Sequence, residues 1–281
     1  MQVIFDLFNL LFFGPTVNVL VFLVRLFEAS SIPGTLGLAI IALTVIIRMI
    51  IWPLMTAQMK SVKQMADLRP QLDALKQKHG KDKQALALAQ SSLYKEAGVN
   101  PAAGCLPVLV QFPILIALYQ VIMAMFDGQH GIDRVNAALY LDSWHLNVAP
   151  DPFFFGINIA NKPADFMTSG YVLLLIPVLT GVFQFLQSKM MAPKPLMIEA
   201  NDSKKEKEEK QSTDEAIVQV QSQMMYILPV MIGYFSYTLP VGLALYWNVL
   251  TIISMVQQYR VSGWGGLEIW LEKFGLLSKK V

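Results

Sequence analysis

Five apolar blocks, each about as long as a bilayer is thick, decide what this chain can fold into. Residues 36–57 run for 22 positions with a single charge, Arg48, and comparable blocks occupy 102–126, 169–190, 222–239 and 241–259. A hydrocarbon core about 30 Å thick is crossed by roughly 20 helical residues, and soluble cores do not use blocks of this length. The last two blocks are short and meet at Leu239-Pro240-Val241-Gly242, which reads as a tight helical hairpin. Short spans draw flanking residues into the core or thin the bilayer locally. Composition agrees: 54% of residues are hydrophobic and 15% charged, where a soluble chain carries about a quarter charged. The fold class expected is an all-α polytopic membrane protein, with a five-helix transmembrane core, a cytoplasmic helical hairpin and an N-terminal interfacial helix.

Lysine and arginine sort the connections. Residues 58–101 carry eight of them, from Lys60 to Lys95; 189–221 carries Lys189, Lys194, Lys204, Lys205, Lys207 and Lys210, and the tail at 260–281 carries Arg260, Lys273, Lys279 and Lys280. The 127–168 loop has only Arg134 and Lys162, and the first 35 residues only Arg25. By the positive-inside rule the first three segments face the cytoplasm and the 127–168 loop faces out. Five spans then put the N-terminal region outside, in agreement with its charge. Residues 3–27 are apolar but broken by Gly14-Pro15 and dotted with Asp6, Asn9, Asn18 and Arg25. An interfacial helix on the outer leaflet suits that pattern; a sixth span is the alternative left open for residues 1–35. No positive region precedes the apolar stretch, which argues against a cleaved signal peptide.

Residues 58–97 read as two amphipathic helices joined near His79-Gly80. Met59, Val62, Met65, Leu68, Leu72 and Leu75 recur at helical spacing, Pro70 should bend the first helix, and Gly98 should stop the second. This stripe packs on a second one made by Leu86, Ala89, Leu93 and Ala97; the sharper expectation is that Met59 and Met65 also contact client segments, because methionine surfaces adapt to varied partners. Residues 191–221 hold a run of mixed charge from Glu199 to Glu215 that suits a solvated loop.

Arg48 stands out. It lies ten residues before Gln58, about 15 Å along a helix and beyond easy snorkelling. Its burial in lipid costs at least about 2.5–3.5 kcal/mol. No block contains an Asp or Glu to pair with it. Neutral candidates remain: Thr44 one turn away, Gln111, Gln184, Gln187, Tyr246, Trp247 and Asn248, plus water. The inference is a hydrated, positively charged cavity, with the guanidinium unpaired at rest.

Chemistry of other kinds lacks its residues. Net charge is only +2, so direct DNA binding by overall basicity is unsupported; Cys105 is the lone cysteine, and His79, His130 and His145 share no metal-ligand spacing. No phosphate-binding G-x-x-x-x-G-K-[ST] loop, no H-E-x-x-H and no paired intramembrane aspartates are present. No cofactor, metal or catalytic residue is expected, and binding or conduction remains. Conduction would mean a small anion channel or transporter with Arg48 as its selectivity charge.

Three stretches resemble the YidC-type membrane protein insertases of the Oxa/Alb superfamily: Gly37–Leu54 (GLAIIALTVIIRMIIWPL), Tyr94–Tyr119 (YKEAGVNPAAGCLPVLVQFPILIALY) and Leu239–Gln258 (LPVGLALYWNVLTIISMVQQ). The resemblance spans roughly residues 36–126 and 169–260, and it makes the anion channel the alternative. It implies a five-helix core with a hydrophilic groove, open to the cytoplasm and to lipid, that takes apolar segments of nascent membrane proteins and releases them into the bilayer. It implies a bacterial inner-membrane chaperone and insertase acting alone or beside the Sec translocon, with the ribosome as a further partner. On it, Arg48 is the groove arginine, Trp247 the aromatic of the last span, and Gln187 or Gln184 the polar residue near the cytoplasmic end of the third. Thr44 follows the pattern, while Gln111 and Asn248 join the expected groove set from the residue reading alone, as neutral candidates beside Arg48. The large outer β-domain of many Gram-negative members is absent, and the basic tail is short, which weakens a ribosome tether.

Overall fold

The computed structural model describes residues 2–79, 82–100, 106–192 and 213–275. Its helices are α1 (Gln2–Phe8), which continues through a π-turn at Asn9–Phe13 into α2 (Gly14–Ala29); α3 (Thr35–Asp67); α4 (Arg69–His79); α5 (Lys83–Glu96); α6 (Leu106–Met125); α7 (Gly128–Asn136); α8 (Phe166–Ser169); α9 (Leu175–Met191); α10 (Thr213–Thr238); α11 (Val241–Ser262) and α12 (Glu268–Lys273). The strands among the described residues are β1 (Phe153–Phe154) and β2 (Ile157–Asn158), an antiparallel pair. Among the described residues, four helical runs are long and apolar enough to cross a membrane: Gln2–Ala29, Thr35–Asp67, Tyr171–Met191 and Val241–Ser262; Leu109–Met125 is apolar but shorter. The all-α polytopic class is as expected. The N-terminal run Gln2–Ala29, expected to be interfacial, also reaches the length and apolarity of a span.

Helix limits differ from the sequence boundaries for physical reasons. α3 passes through Pro53 and joins the first apolar block to the start of the hairpin in one 33-residue helix. It stops at Asp67, so Pro70 falls in the first turn of α4, where its missing N–H has no helical partner to lose. Asp82 caps α5 by accepting hydrogen bonds from the Gln84 and Ala85 amides at 3.0 and 3.1 Å. Gly98 follows with φ +65°, the stop its sequence position suggested. α10 begins at Thr213, well before residue 222; the rest of the mixed-charge run, like Cys105, Lys279 and Lys280, lies outside the described residues.

The chain divides into two compact bodies. The first comprises residues 1–53, 105–183 and 230–254. Its core joins Val17, Leu20, Val21 and Val24 of α2, Leu36, Ile40 and Leu43 of α3, Leu118, Val121, Ile122 and Met125 of α6, and Leu243 and Tyr246 of α11. The 127–168 loop is an ordered part of this body. Asn18 Nδ2 donates to the Gly14 and Ala138 carbonyls, both at 2.8 Å, and its Oδ1 accepts from the Tyr140 amide at 2.7 Å. Arg25 donates to the His145 carbonyl at 2.7 Å. Farther on, the carbonyls of Asn161 and Ile159 accept from the Val241 and Gly242 amides at 2.9 and 2.8 Å. They satisfy donors that the first turn of α11 would otherwise leave free. Phe154 of the strand pair seats against the start of α3, where a Cβ on Gly37 would fall 2.3 Å from its ring.

The second body comprises residues 54–104, 184–229 and 255–281. In it the chain leaves α11 through Gly263 and Gly265, both at positive φ, and returns to the end of α9. The Gly266 amide donates to the Ala192 carbonyl at 2.9 Å, and Gln258 reaches the Met190 carbonyl at 3.5 Å. The Lys189 ammonium stands 5.0 Å from the Trp270 ring centre and 5.9 Å from that of Tyr226, contacts a cation makes favourably with aromatic faces.

Candidate functional site

Within the first body the site is built on α3, α6 and α11. Thr44 and Arg48 are four residues apart on α3 and therefore share a face. Both are buried: Thr44 donates back to the Ile40 carbonyl at 2.6 Å, and Arg48 is 5% exposed. Back-bonding uses the Thr44 proton and leaves its oxygen free to accept. The Arg48 Nε is fully enclosed without a hydrogen-bond partner, and the ion pair found among the described residues is His145 with Asp142. No carboxylate of a described residue pairs with Arg48.

From α11 comes Tyr246. It is 1% exposed, lies within electrostatic range of the guanidinium, and its hydroxyl accepts a hydrogen bond from Gln111 Nε2 on α6. Trp247 and Asn248 are half-buried, with Asn248 Oδ1 enclosed and unpartnered. Successive helical residues point about 100° apart, so only one of Tyr246, Trp247 and Asn248 can take the most interior direction, and the phenol has it. Tyr246 stood among the neutral candidates in the sequence; its pairing with Gln111 across 135 positions had no local signal.

Thus Arg48, Thr44, Gln111, Trp247, Asn248 and Tyr246 all belong to the first body. Gln184 and Gln187 belong to the second, the former 8% exposed and the latter half-buried on α9. Met59 and Met65 are also in the second body, Met59 buried and Met65 half-buried. Buried polar side chains recur there too: Gln257 Nε2 donates to Thr56 Oγ1 at 2.7 Å, while Gln58 Nε2 is enclosed without a partner.

Chemically, the first-body site offers a fixed cation, a phenol locked by an amide, and an amide oxygen and guanidinium nitrogen with bonding capacity unused. Unmet buried polar groups are uncommon and costly; such a set can bind acceptors or water. Nothing in it resembles a nucleophile–base pair, and no grouping of three metal-ligating side chains occurs among the described residues.

The sequence model of the family described as 60Kd inner membrane protein matches residues 28–264. A membrane protein insertase YidC from Fusobacterium nucleatum is 34% identical over 226 residues, covering 80% of this chain and 85% of that protein. A membrane protein insertase YidC 1 from Halalkalibacterium halodurans is 32% identical over 244 residues, or 85% of this chain and 74% of that one. The YidC insertase of Cereibacter sphaeroides is 34% identical over 232 residues, which are 80% of this chain but 32% of that longer protein. The match takes in α3, α6, α9 and α11 together with Arg48, and the chain belongs to the 60Kd inner membrane protein family, among relatives named as YidC insertases.

Proposed function

We propose that this chain is a membrane protein insertase and chaperone of the bacterial cell membrane. It takes apolar segments of nascent membrane proteins into a hydrophilic groove around Arg48 and releases them into the bilayer. One observation carries the mechanism: Arg48 is buried, its Nε has no hydrogen-bond partner, and its helix carries no carboxylate between Thr35 and Gln64. A charge kept in that state is expensive. It becomes useful if its partner arrives with the client.

An acidic residue in a client's outer segment supplies the missing counter-charge and lowers the cost of drawing polar residues partway across. The client's apolar residues then move sideways into lipid, a step favoured by about 0.8 kcal/mol per CH₂ group buried. Gln111, Tyr246 and Asn248 give the segment's backbone hydrogen-bonding company, with Thr44 and Trp247 bordering the same surface. Gln184 and Gln187 contact the client nearer the cytoplasmic end of the third span, and Met59 and Met65 meet it from the C-terminal part of α3. No covalent step is involved. The Sec translocon and the ribosome are the partners that would deliver clients.

In this proposal residues 58–101, 191–221 and 260–281 are cytoplasmic and the 127–168 loop is outside. The α1–α2 run lies at the outer interface. Its support is the pairing of Asn18 and Arg25 with the backbone of residues 138–145: a span there would pull irregular backbone to membrane depth, which lipid disfavours. The transmembrane core is then α3, α6, α9, α10 and α11.

The test replaces Arg48 with Ala and follows two single-span clients, one with an acidic outer tail and one neutral, in a depletion strain. Loss of the acidic client's insertion with the neutral client spared is expected. Unchanged insertion of both, with full growth, overturns the groove mechanism. Ion flux in proteoliposomes without nascent-chain cross-links to Trp247 or Gln187 would instead favour an anion channel.

A further inference from the structure

At the end of the first body that carries the 127–168 loop, α6 turns sharply into α7. The two helices enclose a cleft of about 230 Å³ lined by Met123, Ala124, Asp127, His130, Gly131 and Arg134. A cleft of this size holds several waters or one compact polar head group, and no segment of polypeptide.

Both signs of charge face it without cancelling. Asp127 and Arg134 line the same cleft yet are not within ion-pair distance, since the ion pair found among the described residues is His145 with Asp142. Arg134 is held in place: one terminal nitrogen donates to Gln120 Oε1 at 3.1 Å, and the guanidinium sits 5.4 Å from the Phe13 ring centre. A guanidinium has five N–H donors, so this arrangement fixes its direction and leaves donors over. Asp127 precedes α7 but takes no capping hydrogen bond from it, which leaves its carboxylate oxygens free to accept. A ligand that suits such a cleft carries an anionic oxygen group and a hydrogen-bonding cation a short distance apart.

The surface leading to the cleft says what else the ligand carries. Leu109, Phe112, Tyr119 and Met123 are exposed large apolar side chains at helical spacings along α6, and Met123 lines the cleft as well. On a chain that crosses a membrane this stripe faces acyl chains. A divalent cation is a poor occupant, because one carboxylate is too few oxygen ligands for calcium or magnesium.

We propose that the α6–α7 cleft binds the head group of a phosphoethanolamine lipid, with the phosphate on Arg134 and His130, the primary ammonium on Asp127, and the tails along α6. This site is independent of the groove around Arg48 and of the insertase proposal.

The full chain, purified in detergent, is offered phosphatidylethanolamine, phosphatidylcholine and phosphatidylglycerol of matched acyl chains, and retained lipid is read by native mass spectrometry. Phosphatidylethanolamine should be retained about tenfold over phosphatidylcholine, whose quaternary ammonium cannot donate to Asp127. Asp127→Asn should erase that preference, Asp127→Glu should keep it, and Arg134→Gln should weaken both lipids alike. Equal retention of the three lipids by the unaltered protein overturns the proposal, and so does a preference that survives in a folded Asp127→Asn protein. Displacement of the lipid by free O-phosphoethanolamine at the same concentration would assign the cleft to a soluble ligand and overturn the lipid assignment.

Discussion

Gln111 on α6 donates its side-chain amide to the hydroxyl of Tyr246 on α11, and that bond orients a ring within electrostatic range of Arg48. Tyr246→Phe keeps the packed ring and removes the bond. Side-chain hydrogen bonds between membrane helices average about 0.6 kcal/mol and reach about 1.7. The expected loss lies in that range when unfolding is followed in mixed micelles, and Gln111→Ala in the Tyr246→Phe background should add little. Fully additive losses would mean that the two side chains are not coupled.

Gly265→Ala should loosen the C-terminal turn. Its φ of +53° suits glycine, and an added Cβ would stand 2.0 Å from the Met190 carbonyl oxygen, so the turn must move off the end of α9. A strained backbone site of this kind costs about 1–3 kcal/mol. The loss is local, because the contacts released are those of Gly266 with Ala192 and of Trp270 with Lys189. Trypsin should cut after Lys273 faster in the variant than in the parent, while α3 and α6 resist as before. Equal cutting rates would show that the turn does not hold the tail.

The all-α polytopic class and the oddity of Arg48 were legible in the sequence because a bilayer demands long apolar runs and makes any charge inside one conspicuous. The same physics located Thr44, which must share the face of a residue four positions away. The 127–168 loop was not legible as structure. It is held by backbone carbonyls that accept from Asn18, Arg25, Val241 and Gly242, and a carbonyl leaves no mark on residue identity. Asn18 and Arg25 looked like polar interruptions suited to water, whereas Asn18 also pairs with Ala138 and Tyr140, and Arg25 with His145, each more than a hundred residues away. The Tyr-Trp-Asn run at 246–248 named three candidates, and only the packing of α11 chose the phenol.

Asp82→Ala tests whether the α4–α5 hairpin depends on its cap. Asp82 is exposed and its carboxylate meets the Gln84 and Ala85 amides, two of the donors that open a helix. Removing an N-cap costs about 0.5–2 kcal/mol, and Asp82→Asn should keep most of the capping. In hydrogen exchange, the amides of residues 84–86 should lose protection in the alanine variant and not in the asparagine one. If both variants exchange like the parent, the start of α5 is held by packing alone.

The most demanding prediction concerns why the groove needs a charge. Two opposite charges about 4 Å apart attract by about 1 kcal/mol in water and about 4 kcal/mol at an effective dielectric constant near 20. Because Arg48 is almost wholly enclosed by protein, the larger figure is the relevant bound. Arg48→Gln should therefore slow insertion of a client with one acidic tail residue by tenfold or more, since about 1.4 kcal/mol is already a factor of ten. Arg48→Lys keeps the charge but not the planar fork, and should restore most of the rate. The arginine-dependent part should change little as salt is raised, because enclosed charges are weakly screened, whereas attraction by the exposed lysines Lys60 and Lys63 of α3 should fade. Insertion rates of neutral, singly and doubly acidic clients, measured for the three proteins at low and high salt, separate these contributions. An arginine dependence that vanishes at high salt, or that is equal for neutral and acidic tails, would rule out the enclosed guanidinium as the client's counter-charge.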